Sequence, residues 1–301
     1  MRKVTQFMLA FLLAASLNSL QPSRLAAFSG GPDSSGQPAQ HATLKPVAAT
    51  SPDVPFHEYD SDAEQLLLQL ANQARAQAGA RPLTLDSGLS QAARVHAQIM
   101  LDARKLSHQF DGEPSLPQRL GATTSLQLDQ EAENVAFDCD AKDGHDHLML
   151  SPPHRTNLLN PAYNVVGLGV VRSGDRMYIV QDFGHALPNS SVGQVKDRVA
   201  AAVTQMRHQA RRPGLQRSDL SNADAAACSM AQADKLGTSS VQQLAQRYTV
   251  LTFTSVNPET LPAGADRAVT SPNLHSYSIG TCYARTQTYP TGMYWVLLSL
   301  D

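Results

Sequence analysis

From Ser61 onward the chain sorts its apolar and polar positions into two kinds of pattern. Leu66, Leu67, Leu70, Ala71 and Ala74 recur at the spacing that lines one face of a helix. Ser61-Asp62-Ala63-Glu64 ahead of them has the form of a capping box, and Gly79 behind them suits a helix terminator. A first helix opening at Ser61 is predicted, with Leu66, Leu67 and Leu70 buried. A second is predicted from Ser87 to Leu106, with Leu89, Ala93, His96, Ala97 and Met100 on its apolar face. His96 on that face reads as a hydrogen-bonded core histidine. Beyond Pro161 the period shortens. NVVGLGVV (164–171) and MYIVQDF (177–183), joined by Arg172-Ser173-Gly174-Asp175, predict a hairpin with Val165, Val170 and Ile179 in central strands. Helices first and antiparallel strands last make an α+β unit.

Two stretches interrupt this pattern. SPPHRTNLLNP (151–161) carries prolines expected to hold the chain extended before His154 and Arg155, with Leu158 and Leu159 as buried anchors. Gly144-His145-Asp146-His147 is polar and reads as an exposed loop, although two histidines beside an aspartate are also metal-ligand types.

Upstream of Ser61 the pattern fails. Phe7–Leu17 is an apolar run behind Arg2 and Lys3, too short to span a bilayer and right for a signal peptide; small residues at Ala14-Ala15-Ser16 and Ala26-Ala27 both offer cleavage sites. Residues 1–27 are read as that signal peptide. Residues 28–60, rich in Gly, Ser, Pro and Ala, are read as a disordered linker. The mature chain is then expected to be secreted or periplasmic, with no transmembrane helix after signal removal. Cleavage after Ala27 removes three cations and no acid, carrying the formal charge of -2 further negative, which argues against a nucleic-acid partner. The basic stretch Arg207–Arg217 reads as a solvated helix end.

The chain also matches itself. Ala92–Ala97 has an echo in Ala226–Ala231, Lys105-Leu106 in Lys235-Leu236, Ser151-Pro152 in Ser271-Pro272, Val166-Gly167 in Ile279-Gly280, and Met177–Val180 in Met293–Val296, all in the same order. These matches imply a diverged duplication, residues 61–187 followed by a shortened copy over 188–301. The copy places Cys228 on a helix and Cys282 in a strand of one repeat, so these two are expected to pair and Cys139 to stay free.

NQARAQAGARPLTLDSGLSQAARVHAQIM, SHQFDGEPSLPQRL, AENVAF, SPPHRTNLLNPAYNVVGLGVV and YIVQDFG together resemble the CAP superfamily of cysteine-rich secretory, antigen 5 and pathogenesis-related proteins, in its bacterial SCP-like branch. The resemblance implies a three-layer α-β-α sandwich with a cleft lined by His108, Glu133, Asn134, His154 and Arg155. This sequence departs from the family where Ala132, Leu148 and Ser151 replace a glycine, a tryptophan and a second glutamate. Two imidazoles and one carboxylate are a set that zinc accepts, which makes His108, His154 and Glu133 the candidate metal ligands. In the second half Thr238 and Leu274 fall opposite His108 and His154, and RYTVLTFTSVNP holds no carboxylate to match Glu133.

Two functions follow. One is a binding module for a small, lipid-like or cell-envelope ligand. The other is a metal-dependent, protease-like hydrolase with Glu133 as base and a zinc cofactor. Whether the chain is an enzyme stays open at this point. No G-x-S-x-G elbow is present, and Asp138 and Asp140 disfavour a thiolate at Cys139. Binding is the leading expectation.

Overall fold

A computed structural model describes residues 59–301, together with the backbone of β1 (Thr5–Gln6). The rest of the expected signal peptide and nearly all of the expected linker lie outside the described residues.

α1 (Ser61–Gln77) begins one residue earlier in its capping than predicted: the Asp60 carboxylate accepts from the Ala63 amide at 3.0 Å. Ser61 and Glu64 form no capping box, because Glu64 is drawn inward to pair with Arg94 of the next helix. Leu67 is fully buried, whereas Leu66 is 40% exposed, a correction to the expected apolar face. β2 (Thr84–Leu85) leads into α2 (Ser87–Ala103), which stops short of Leu106 because Arg104 turns left-handed with φ 49°. α3 (Leu116–Thr123), β3 (Gln127–Asp138), α4 (Ala141–Leu150) and α5 (Pro152–Leu159) follow, and β4 (Val165–Ser173) and β5 (Arg176–Leu187) form the expected hairpin.

These strands make one sheet in the order β2-β4-β5-β3, with helices on both faces. Leu67, Leu148, Leu158, Leu168, Val170, Ile179 and Phe183 form the core under α1, α4 and α5. Ala93, Ala97, Met100, Val135, Val171, Tyr178 and Val180 form the core under α2. The alternation of strand side chains feeds both cores from the same strands. α2 lies so close to β4 that a Cβ on Gly167 would meet the Leu89 backbone at 2.1 Å, and one on Gly169 the Ala93 backbone at 2.3 Å. Glycine is required there.

SPPHRTNLLNP is helical, not extended. Pro152 and Pro153 occupy the first turn of α5, where no amide hydrogen is needed and the fixed φ suits a helix. Buried Arg75 anchors this segment: its Nη1 donates to the carbonyls of Leu158 and Asn160 at 2.9 Å, and its Nη2 to that of Tyr163 at 2.8 Å. Gly144–His147 is also helical, within α4, because Gly144 lets the helix settle on Ile179.

The remaining elements are α6 (Val192–Gln209), β6 (Gln216–Arg217), α7 (Ala223–Gln232), α8 (Ser239–Ala245), β7 (Thr249–Ser255), α9 (Ala265–Val269), β8 (Ser276–Ala284) and β9 (Met293–Leu300). Their strands run in the order β7-β9-β8-β6, with β1 outside β7. Arg207 is buried, not solvated as expected: its Nη1 donates to the carbonyls of Val269 at 2.7 Å and Ser271 at 3.2 Å. Ser271-Pro272 follows α9, and the Ser271 carbonyl is one of the two that Arg207 holds. Cys228 and Cys282 are disulfide-bonded, and Cys139 is free and exposed.

Candidate functional site

β3 is an edge strand of the first sheet, and its alternation splits two neighbouring polar residues between the layers. Glu133 points to the side of α2 and α3; Asn134 points to the side of α5. The carboxylate of Glu133 is nearly buried. One oxygen accepts from or shares a proton with His108 Nδ1 at 2.9 Å, and the other accepts from Arg119 Nη2 on α3. Arg119 also reaches Glu113, 3.3 Å away, and Glu113 lies 2.6 Å from His96 Nδ1, whose Nε2 meets the Ser107 carbonyl at 2.9 Å. His96 is thus a buried, bonded histidine, as expected, and it ties α2 to the loop that presents His108.

On the other face the Asn134 amide donates to the His154 carbonyl at 3.1 Å, and Asn157 donates to Asn134 Oδ1 at 3.0 Å. This pins the first turn of α5 across β3. The His108 and His154 rings then stand 6.4 Å apart between centroids. His108, Glu133, Asn134 and His154 come together from a loop, a strand and a helix, and Arg155 is exposed beside His154.

The two imidazoles are biased in opposite directions. The hydrogen bond to Glu133 raises His108 above its ordinary value of 6.5, against the lowering effect of burial. Burial lowers His154 below 6.5, and the charge of His108 adds to this. Asp182 on β5, directly opposite Glu133 in the ladder, is wholly buried. Burial, and after it the charge of Glu133, push this carboxyl well above 3.8.

Zinc would have to compete for these donors. Glu133 already serves His108 and Arg119, and losing one partner of such a buried ion pair costs about 3–5 kcal/mol. Among the described residues no group of three or more His, Cys, Asp and Glu side chains is arranged to hold a metal ion. The three-donor set therefore does not fit a resident zinc, and only the imidazoles of His108 and His154 remain as donors. His145 is buried in α4 with its imidazole lowered by burial, while His147 bonds Asp138 at 2.7 Å; neither belongs to the cleft.

Sequence reasoning missed Arg119, Glu113 and Asp182. Asp182 left a trace: it sits in the apolar run MYIVQDF, in a strand covered on both faces, where a carboxyl must be buried. Arg119 and Glu113 left none, since an arginine in a short polar-looking helix is ordinarily solvated.

The model of the cysteine-rich secretory protein family, CAP, matches residues 68–183, the segment that contains all of these groups. These residues form a CAP domain. YkwD, an uncharacterized protein of Bacillus subtilis strain 168, is 31% identical over 112 residues, 37% of this chain and 43% of that relative, so the chain spans less than half of its length. An extracellular protein with an SCP domain from Bacillus anthracis str. Ames is 25% identical, with a TM-score of 0.39 over 42% of this chain and 41% of that one. An outer surface protein of Borrelia burgdorferi is 18% identical, with a TM-score of 0.40 over 44% of this chain and 99% of that one. No described helix is long and apolar enough to cross a membrane.

In the second sheet Thr252 and Leu297 are paired across β7 and β9, and both are buried.

Proposed function

We propose that the chain is an exported binding module whose CAP cleft, built by His108, Glu133, Asn134, His154 and Arg155, holds a small, lipid-like or cell-envelope ligand. The observation that carries this reading is the occupied carboxylate. Glu133 is engaged by Arg119 and His108, so it orients an imidazole and is not free to act as a hydrolytic base. The two rings stand 6.4 Å apart with proton affinities biased in opposite directions, raised in His108 and lowered in His154, which suits reversible capture of a polar head group. Metal-dependent hydrolysis, the alternative function, would need Arg119 to release Glu133.

Residues 188–301 are proposed to be a degenerate second CAP-like repeat. Support comes from the matching strand order, from Arg207 repeating the carbonyl bonds of Arg75, and from Gly280, where a Cβ would meet the Ala223 backbone at 2.1 Å as Gly167 would meet Leu89. Export rests on the signal-like Phe7–Leu17 run.

The test is to incubate mature protein with envelope lipid extract, re-isolate it, and identify the retained molecules by mass spectrometry. The parent is expected to retain a species that the His108→Ala, His154→Ala double variant loses. Equal retention by both proteins would remove the cleft from the function. Zinc-dependent hydrolysis of a general protein substrate by the parent would favour the hydrolase.

A further inference from the structure

Arg285, at the end of β8, reaches out of the second half. Its Nη1 donates to the Gly121 carbonyl at 2.9 Å and its Nη2 to the Leu126 carbonyl at 2.9 Å. These two acceptors bracket the link from α3 to β3. Two further contacts fall on the same link. Tyr294 Oη donates to Gln127 Oε1 at 3.1 Å, and the Pro290 carbonyl lies so near Gly121 that a Cβ there would stand 2.1 Å from its oxygen.

α3 is only eight residues long, too short to hold its shape alone. Leu120 buries one side of it, and Thr124 donates to Asp86 at the start of α2. The outer side, where Gly121 and the turn to β3 lie, is held from the second half. Arg119 sits two residues before Gly121, and Glu133 is carried by the strand that starts at Gln127. We infer that Arg285 is a positioning residue for the cleft: by clamping the link between α3 and β3 it keeps Arg119 on Glu133, and so keeps His108 in place. A half without the chemistry of the site thereby braces the half that has it. This inference rests on the geometry of the cleft and is independent of what the cleft binds.

The test uses the full mature chain, free of metal, as Arg285→Ala, Arg285→Lys and Arg217→Ala. Arg217 is a control from the same half, paired with Asp197. The readouts are hydrogen exchange of the α3 amides and of the buried Arg119 Nε–H proton, both followed by NMR. Arg285→Ala should speed exchange at Arg119 and α3 by about tenfold or more while leaving β8 and β9 unchanged. Arg285→Lys, which can still donate to one carbonyl, should recover part of the protection, and Arg217→Ala should match the parent. Unchanged Arg119 exchange in Arg285→Ala would overturn the inference, as would equal acceleration in Arg217→Ala.

Discussion

Asp182 makes the cleft sensitive to pH from below. A carboxyl whose folded value is raised binds its proton more tightly in the folded chain than in the unfolded one. Its cost is therefore absent at low pH and grows as pH rises through the unfolded value of 3.8 towards the folded one. Asp182→Asn keeps the shape and removes the proton equilibrium. Denaturant unfolding from pH 4 to pH 8 should show the parent losing stability relative to Asp182→Asn as pH rises; parallel curves would mean that Asp182 is not held neutral. Of the residues in the site, His108, Glu133, Asn134 and His154 were named through the resemblance of SHQF, AENV and SPPHR to the CAP family, since no local spacing ties them together. Arg119 was not, because its partner lies 14 positions away in another element and nothing local marks it as buried.

The long elements were legible wherever one period of burial ran through them. α2 and the β4–β5 hairpin have strict patterns, and their cores contain the residues expected. α1 was read correctly as a helix but misread at its start, since Asp60 competes better for the cap while Glu64 has a stronger partner in Arg94. α4 and α5 were hidden for a different reason. Each buries only a narrow strip, Ala141, Gly144, His145 and Leu148 in one and Leu158 in the other, so polar composition outweighed periodicity. α1 supplies the sharpest test of the first core. Leu67 is fully buried, so Leu67→Asp places an unpaired charge under the sheet and should cost roughly 4 kcal/mol or more in urea unfolding. An unchanged midpoint would contradict the packing of α1.

Among the described residues a four-stranded sheet, β2-β4-β5-β3, is followed by a five-stranded one, β1-β7-β9-β8-β6. The first relies on cores on both faces of its sheet. The second adds Cys228–Cys282, whose 54-residue separation is worth about 4 kcal/mol in the chain-entropy account. That pairing was legible because the self-comparison set one cysteine on a helix and the other in a strand beside it. Ser271-Pro272, which echoes Ser151-Pro152 in letters, follows α9 in space, with the Ser271 carbonyl held by Arg207. The central claim is that His108 and His154, drawn from separate elements across β3, form one site. Zinc is a suitable probe because two neutral imidazoles bind it and separated ones do not. The decisive measurement is calorimetric titration of zinc into the parent and into four single alanine variants. His108→Ala and His154→Ala should each weaken binding by about tenfold or more, and His145→Ala and His147→Ala should leave it unchanged. In the parent, affinity should begin to fall above pH 6.5 as pH drops, because the raised His108 takes up its proton first. Equal affinity in His154→Ala and the parent would contradict the account.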